Sequence, residues 1–342
     1  MRLQTATPTR AAGQGVQLSP LPRVSVKPAT SAAPAPEVAP ATTPASDPTQ
    51  TGPRQALVLR RSLFLNAAAA ALAAAAFSLH APQAATASAL PRGATILVVG
   101  ATGRTGRLAV ASLAARGYAV RAAVRDPAKA AALGVAAAAA GGVVTLDLAA
   151  PEPELTSALA AALDGVDGVV CAASFNGGGG GSSYASVDEA GTIALIAAAA
   201  ARPATIKRFV LLTSILTNGA ARGQAWNPAF LILKKALTAK LASEAALRAS
   251  GLDWVIVRPG GLADKPAAEV GAPVLRGEDA LLGLPGDPGR AVARETVADL
   301  LASAVAVPAA GGRVLELVAS PKVAAVGMDD LVERLAAAGA GQ

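Results

Sequence analysis

From residue 96 onward, short apolar runs alternate with longer segments in which apolar residues recur at helical spacing. The apolar runs predict strands at 96–99, 118–124, 143–148, 168–173, 208–215, 253–258 and 313–318. The longer segments predict helices at 108–116, 127–133, 152–163, 183–200, 228–249, 295–305 and 328–338. Strands that alternate with helices in this way indicate a parallel sheet with helices on both faces. We therefore expect residues 90–342 to form one α/β domain.

The first strand runs directly into a turn that contains three regularly spaced glycines. The sequence after Val99 is GATGRTGR, with Gly100, Gly103 and Gly106 at three-residue spacing. In Rossmann-type folds a strand, a glycine turn and a helix in this order bind a diphosphate, because main-chain NH groups at the helix N-terminus face the phosphates. Further candidate contacts to the cofactor in this turn are Thr102, Arg104 and Thr105. The sequence therefore predicts a single doubly wound Rossmann-type sheet that binds a dinucleotide.

Residues at the ends of the next strands indicate which dinucleotide is bound. Arg125 and Asp126 follow the second strand, at the position that meets the adenosine ribose. An arginine there can bind a 2′-phosphate, whereas an acid binds the ribose diol, so Arg125 in first place favours NADP(H) over NAD(H). Asp147, after the third strand, is expected beside the adenine. Other residues expected to contact the cofactor at this edge of the sheet are Leu148, Ala172 and Ala173.

The first 89 residues differ in composition from the rest of the chain. They are rich in Ala, Pro, Ser and Thr, and they contain seven of the 30 Lys and Arg residues but only two of the 23 Asp and Glu residues. An acid-poor, arginine-bearing N-terminus is typical of an organelle transit peptide. The remaining residues carry 23 basic and 21 acidic side chains, so the folded part is close to neutral. A basic face suited to nucleic acid is therefore not expected.

The same leader contains a second signal. Arg60 and Arg61 precede an apolar run at 67–79 and two small-residue cleavage motifs at 85–87 and 87–89. This order is that of a twin-arginine signal, which in a plastid would lead to the thylakoid lumen. Two interpretations stay open: a plain chloroplast transit peptide, or a bipartite one with a lumen signal. The apolar run is shorter than the roughly 20 residues that span a bilayer, so no transmembrane span is expected in the mature chain.

Two residue types exclude several classes of catalytic site. Cys171 is the only cysteine, which rules out a disulfide within the chain, and it lies in a strand pattern typical of a buried hydrophobe. His80 is the only histidine and belongs to the leader. The domain at 90–342 therefore lacks the histidine of a Ser-His-Asp or Cys-His site, and we expect no metal site.

Several stretches together resemble one enzyme superfamily. They are GATGRTG, VRDPAKA, the pair Asp147-Leu148, KRFVLLTSI, LTSILTNGAARGQAWNPAF and KLASEAALRASGLDWVIVRPGGL. They are similar to the atypical short-chain dehydrogenases/reductases, especially to plant and algal chloroplast NAD(P)-binding proteins related to the NAD(P)-binding subunit of the inner-envelope translocon and to NmrA-like proteins. The resemblance covers roughly residues 94–342. It implies a Rossmann fold, a bound dinucleotide and a plastid location.

The resemblance also assigns roles around the nicotinamide. It implies that Ser214 positions an acceptor and that Lys240 binds the nicotinamide ribose and assists catalysis. Pro259 and Gly260 match the loop beside the nicotinamide. Active members place a tyrosine four residues before the lysine, whereas this chain has Ala236 there. The only tyrosines are Tyr118 and Tyr184, neither of which matches the motif; on helical spacing alone, Glu244 is expected to pair with Lys240.

Two functions remain compatible with this site. The first is an NADPH-dependent reductase of a carbonyl, quinone or flavin acceptor. The second is a non-catalytic NADP(H)-binding redox sensor or tether for another chloroplast protein, as the missing tyrosine suggests. The expected ligands are a dinucleotide and a small-molecule acceptor or a protein partner, without nucleic acid. The expected location is the chloroplast, either stromal or thylakoid-associated, with the lumen open through Arg60 and Arg61.

Overall fold

The computed structural model describes residues 89–177, 181–281 and 289–339, and the predicted leader lies outside these ranges except for Ala89. The strands are β1 (Thr95–Val99), β2 (Ala119–Val124), β3 (Val143–Thr145), β4 (Gly168–Cys171), β5 (Arg208–Leu212), β6 (Trp254–Pro259), β7 (Gly261–Ala263), β8 (Ala272–Arg276), β9 (Ala291–Ala293) and β10 (Arg313–Ser320). The α-helices are α1 (Gly106–Ala115), α2 (Pro127–Ala132), α3 (Val135–Ala138), α4 (Glu154–Ala162), α5 (Thr192–Ala200), α6 (Pro228–Ala249), α7 (Ala267–Val270), α8 (Arg294–Ala306) and α9 (Met328–Gly339).

Eight of the described strands form one sheet in the order β3-β2-β1-β4-β5-β6-β10-β8. All neighbouring pairs are parallel except β10 and β8, which are antiparallel at one edge. The strand order reverses between β1 and β4, and such a switch point is where open α/β sheets bind ligands at their carboxyl edge. The predicted doubly wound Rossmann-type sheet is thus confirmed.

Helices cover both faces of this sheet. On one face α1 and α8 pack against the strands, with Leu113 and Leu301 fully buried. On the other face α4 and α5 contribute Leu159 and Leu195 to a second apolar layer. The central strands are buried on both sides, which explains why their sequences read as continuous apolar runs. Among the described residues, no helix has both the length and the apolar character needed to cross a membrane.

The helix predicted at 183–200 and the strand predicted at 143–148 differ from the observed elements. Residues Ala185–Gly191 form a π-helix that precedes α5. A Cβ atom on Gly191 would lie 2.1 Å from the main-chain oxygen of Leu148, so glycine is required for this close approach. Leu148 itself belongs to a loop, because β3 ends at Thr145. The sequence pattern could not show these changes, since both segments keep their apolar spacing.

Candidate functional site

A cavity opens at the carboxyl ends of β1, β2, β3 and β4, at the switch point of the sheet. Its walls come from the four strand-end loops and the π-helix: Val99, Gly100, Thr102, Gly103, Ala123, Val124, Arg125, Lys129, Leu146, Asp147, Leu148, Ala172, Ala173, Ser174, Phe175, Asn176 and Val187. Most of the predicted adenosine-side contacts therefore lie together in one cavity. The predicted residues Ser214, Lys240, Pro259 and Gly260 lie outside its walls.

The glycine turn leaves no room for side chains. Gly100 has a φ of 80°, and a Cβ atom there would lie 2.8 Å from the main chain of Ala173. A Cβ atom on Gly106 would lie 2.1 Å from the Gly100 oxygen, so the start of α1 packs directly on the turn. Gly103 donates its NH to the Gly100 oxygen at 2.9 Å and lines the cavity. The turn thus places the main chain of Gly100, Thr102 and Gly103 on the cavity wall directly before α1, which suits a diphosphate.

Arg104 and Thr105 belong to a small charged cluster beside the turn. The Arg104 guanidinium, 65% exposed, pairs with Asp264 at 2.6 Å. Asp264 also accepts from Arg294, and Arg294 donates to the Thr105 hydroxyl at 3.2 Å. The hydrogen bond from Arg294 and the nearby positive charge of Arg104 hold the pKa of Asp264 below its ordinary value. Arg104 is therefore held by an acid on the loop after β7 rather than lying in the cavity wall.

Two exposed cations lie close together in the sequence after β2, one directly after the strand and one in α2. Arg125 and Lys129 both line the cavity, and neither forms a salt bridge within the described part of the chain. Asp126 instead caps α2, because its carboxylate accepts the Lys129 NH at 3.0 Å. The local charge facing the adenosine end of the cavity is positive. Lys129 was missed in the sequence, although its position in the first turn of a helix that follows β2 was a usable signal.

The adenine side of the cavity is formed by the loop after β3. Asp147 lines the cavity, and one of its carboxylate oxygens accepts the Ala149 NH at 3.0 Å. This turn leaves the second carboxylate oxygen free to accept from a ligand. Leu146 and Leu148 on either side are buried and fix the loop against the core. Ala172 and Ala173 complete the wall after β4, where Ala172 donates to the Val99 oxygen at 2.9 Å.

The buried carboxylate of Asp188 joins three segments near the cavity. Asp188 lies on the π-helix with a fully buried side chain, and it pairs with Lys240 of α6 at 2.7 Å. It also accepts from the Ser174 hydroxyl at 2.7 Å and from the Phe175 NH at 2.8 Å. Asp188 therefore holds the cavity wall after β4 and the Lys240 ammonium together. No local sequence motif indicates this role of Asp188, because Lys240 lies 52 residues later in the chain.

Glu244 pairs with Arg258 of β6, not with Lys240 as helical spacing suggested. Both side chains are 1% exposed, and the shortest contact between them is 2.6 Å. The Thr213 hydroxyl at the end of β5 donates to Glu244 at 2.7 Å. Lys240 does not pair with Glu244, because its ammonium group forms a salt bridge with Asp188. The i,i+4 interpretation failed because a buried arginine from the neighbouring strand offers better charge compensation than a lysine on the same helix.

The remaining predicted residues lie on the β5 and β6 side of the sheet. Ser214 follows β5 and is half-buried, and its main-chain oxygen accepts from Thr217. Pro259 ends β6. Gly260 packs closely, because a Cβ atom on it would lie 2.7 Å from the Arg290 oxygen. Cys171 is buried within β4, and burial raises the pKa of its thiol to about 11, so it is an unreactive hydrophobe.

Comparison with known proteins defines the family. The profile of the NAD(P)H-binding family matches residues 100–308. An uncharacterised chloroplast protein of Arabidopsis thaliana is 35% identical over 227 residues, which cover 66% of this chain and 76% of that protein. The chain belongs to the NAD(P)H-binding family, within the atypical short-chain dehydrogenases/reductases and NmrA-like proteins, as the sequence motifs predicted. A nicotinamide dinucleotide is its cofactor class.

Two further relatives place the chain in a wider group. Protein TIC 62 of pea chloroplasts is 33% identical over 183 residues, but these cover only 32% of its length and 49% of this chain. Among solved structures, a Bacillus halodurans protein assigned as an NAD-dependent epimerase/dehydratase is 26% identical with a TM-score of 0.58. That match covers 71% of this chain and 100% of the other. Relatives of this chain therefore occur both in chloroplasts and in bacteria.

Proposed function

We propose that this chain is a plastid protein that binds NADP(H) and reduces a small-molecule acceptor. The observation that carries the proposal is that Arg125 and Lys129, at the adenosine end of a cavity floored by a glycine turn, form no salt bridge with any described residue. A 2′-phosphate would give both cations a counter-charge. Asp126, whose carboxylate could otherwise attract a ribose diol, caps α2 and is not part of the cavity wall.

The proposed binding mode extends along the carboxyl edge of the sheet. Main-chain NH groups between Thr102 and Gly106, other than the Gly103 NH that the turn itself uses, bind the diphosphate, and Asp147 accepts from the adenine amino group. Lys240 has three donor hydrogens, of which Asp188 takes one, so another can reach the nicotinamide ribose. The glycines at 100 and 106 are needed for the turn itself. Thr102, Thr105, Leu148, Ala172 and Ala173 supply the remaining proposed contacts.

The proposed chemistry is reduction without a tyrosine acid. Bound NADPH would supply a hydride to the acceptor. Ser214 would donate a hydrogen bond to the acceptor oxygen, and a water molecule would deliver the proton. A positioned acid is typically worth about 100- to 10,000-fold in rate, so its loss favours acceptors such as quinones and flavins that need little proton assistance. The buried Ala236, at the position of the family tyrosine, supports this choice.

A second candidate function is a redox-state sensor or tether that binds NADP(H) without turnover. The specific observation in its favour is the salt bridge between Lys240 and Asp188. In active family members this lysine assists a tyrosine, whereas here it is paired with a carboxylate. The two functions share the cofactor site and differ only in hydride transfer. An assay of NADPH oxidation with quinone, flavin and aldehyde acceptors separates them. Binding without oxidation across all three acceptor classes would favour the sensor.

The cofactor preference is tested by titrating NADPH and NADH into wild-type protein and two variants. Arg125→Ala and Lys129→Ala should each weaken NADPH binding about 10- to 100-fold, since each removes a charge-assisted contact to the 2′-phosphate. Binding of NADH should change little. The matched control is Lys322→Ala, an exposed lysine in the loop after β10. An equal loss for both dinucleotides would contradict the assigned role of Arg125 and Lys129.

The chloroplast relatives support a plastid location, and the leader composition supports a transit peptide at residues 1–89. A fluorescent fusion to this segment should accumulate in chloroplasts. Replacing Arg60 and Arg61 by lysine then separates stromal from lumenal delivery. Protease protection in isolated thylakoids that disappears in the double lysine variant would support the bipartite signal, and unchanged stromal fluorescence would support the plain transit peptide.

A further inference from the structure

An exposed apolar and cationic surface surrounds the start of α6. Its three large apolar side chains are Trp226, Leu231 and Ile232, which are 65%, 58% and 83% exposed. Lys234 and Lys235 are exposed on the same helical turns. We call these five residues the α6 face. Neighbouring large apolar side chains that stay exposed usually mark an interaction surface.

One side of the first turns of α6 packs on the protein, and the other side is exposed. Phe230 is 6% exposed and packs in one apolar cluster with Leu216 and Leu237. Leu231 and Ile232 follow Phe230 directly and point away from that cluster. The α6 face is therefore held against the protein from behind while its outer side stays accessible to an extended surface.

The charge of this surface is of one sign. Lys234 and Lys235 form no salt bridge with any residue that the structure describes. The sequence contains no Asp or Glu between Glu189 and Glu244. A tryptophan with aliphatic neighbours and adjacent lysines matches the composition that peripheral proteins use at a membrane interface, where lysines contact anionic headgroups. Contact with a second copy of the chain would instead bring two lysine pairs together.

We propose that the α6 face binds the surface of a membrane that contains anionic lipids. Trp226, Leu231 and Ile232 enter the headgroup region, while Lys234 and Lys235 bind the anionic headgroups. The attachment is peripheral, since it uses only the outer side of the first turns of α6, whose inner side packs on the protein through Phe230 and Leu237. This inference is independent of the cofactor and of hydride transfer.

The test uses the full chain and two kinds of vesicle, an equal mixture of phosphatidylglycerol and phosphatidylcholine, and phosphatidylcholine alone. The full chain should sediment with the anionic vesicles and not with the neutral ones. The variants Leu231→Ser/Ile232→Ser and Lys234→Gln/Lys235→Gln should each bind about tenfold more weakly. The matched control is Leu133→Ser, an exposed leucine after α2, which should bind like wild type.

Tryptophan fluorescence locates the contact. The chain has two tryptophans, and Trp254 is partly buried under Arg248 at 5.0 Å. In a Trp254→Phe variant the emission therefore comes from Trp226 alone. Anionic vesicles should shift this emission to shorter wavelength, and bromine-labelled lipid tails should quench it. All the compared chains carry the same leader, so a difference between them reports binding by the α6 face and not binding by residues 1–89.

Three results would overturn the proposal. The first is absence of binding to the anionic vesicles. The second is binding with no change in Trp226 emission and no loss in the serine or glutamine variants, which would assign the contact to another part of the chain. The third is a dimer in light scattering that the Leu231→Ser/Ile232→Ser variant abolishes, because a second copy would then cover the α6 face.

Discussion

Arg258 lies in the protein interior among several carboxylates. It is 1% exposed and contacts Glu244 at 2.6 Å, Asp279 at 2.9 Å and Glu316 at 3.4 Å. Glu316 also accepts main-chain NH groups of Asp279 and Leu281. Although burial alone would lower it, the pKa of Arg258 is raised by its hydrogen bonds to Glu244 and by the surrounding acids. One guanidinium of β6 therefore compensates the charge that α6, β10 and the segment after β8 bring together.

Replacing Arg258 by alanine should destabilise the fold by about 3–5 kcal/mol, because buried Glu244 and Glu316 would lose their counter-charge. The free energy of unfolding in urea measures the effect. The matched control is Arg248→Ala, which removes a partly exposed arginine paired with Glu278 at 2.6 Å and should cost about 0–1 kcal/mol. Equal costs for the two variants would show that the buried network contributes no more than a surface pair.

The stability of the Arg258→Ala variant should change with pH in one direction. Burial already raises the pKa of Glu316 in the folded wild type. Loss of the guanidinium should raise the pKa of Glu316 further above its unfolded value, so the folded variant binds more protons than the unfolded chain. The stability of the variant should then rise as the pH falls through that raised value and be lost as the pH rises. A deficit relative to wild type that stays constant from neutral to mildly acidic pH would contradict this assignment.

At the scale of elements, the π-helix Ala185–Gly191 connects the cavity at the carboxyl edge of the sheet to α6. Its residue Asp188 bonds to Ser174 and Phe175 in the cavity wall and to Lys240 on the helix. The Phe175 ring also packs edge-on against Tyr184 at a centroid distance of 5.0 Å. The loop after β4 is thus held from two sides by the segment that follows it. Rearrangement of this segment would change the cavity and the position of Lys240 together.

Asp188→Ala should therefore lower both stability and NADPH affinity, because it leaves the mostly buried Lys240 ammonium unpaired and releases the cavity wall. Asp188→Asn keeps one acceptor oxygen, which can serve Ser174 or Phe175 but not both, and it removes the charge, so its NADPH affinity should lie between those of the alanine variant and wild type. Thermal unfolding with and without NADPH measures both quantities. Wild-type values for both variants would show that Asp188 does not position the site.

Elements with a strong local pattern were predictable, whereas long-range partners were not. The bounds of α6 agree with the sequence, because its capping residue Asn227, Pro228 at the first turn and Gly251 beyond its end mark both limits. The three-residue strands β7 and β9 and the antiparallel β8 were missed, because they are too short or too interrupted by proline and glycine to show a period. They pair only through contacts distant in the chain.

The candidate site also contains residues whose position the sequence predicts and residues whose partners it does not predict. The glycine turn, Arg125 and Asp147 follow strands directly, so their place at one sheet edge followed from the strand pattern. Arg104 stands in the glycine turn, yet its partner Asp264 lies 160 residues later, and no local pattern indicates that salt bridge. Asp188 is similar, since its role depends on how the π-helix packs on α6. Sequence patterns predict which edge of the sheet holds the site, and packing decides which side chains are free.

At the scale of the whole molecule, charge is unevenly distributed between the leader and the folded part. The chain has a formal net charge of +7, of which residues 1–89 carry all but about two units. Residues 90–342 carry 23 basic and 21 acidic side chains, and the buried charges around Arg258 are paired with one another. The high isoelectric point of the chain therefore describes the leader more than the domain.

This distribution predicts how the protein interacts with nucleic acid. The full chain should be retained on double-stranded DNA at low salt and released as salt rises, because the seven leader cations, which outnumber the two leader acids, displace counterions from the phosphates. Residues 90–342 alone should bind DNA far more weakly at the same salt while keeping the NADPH affinity of the full chain, since the proposed cofactor contacts all lie within that range. Filter binding at several salt concentrations and NADPH titration measure the two quantities. Salt-dependent DNA binding by residues 90–342 as tight as that of the full chain would instead place a basic surface on the domain itself.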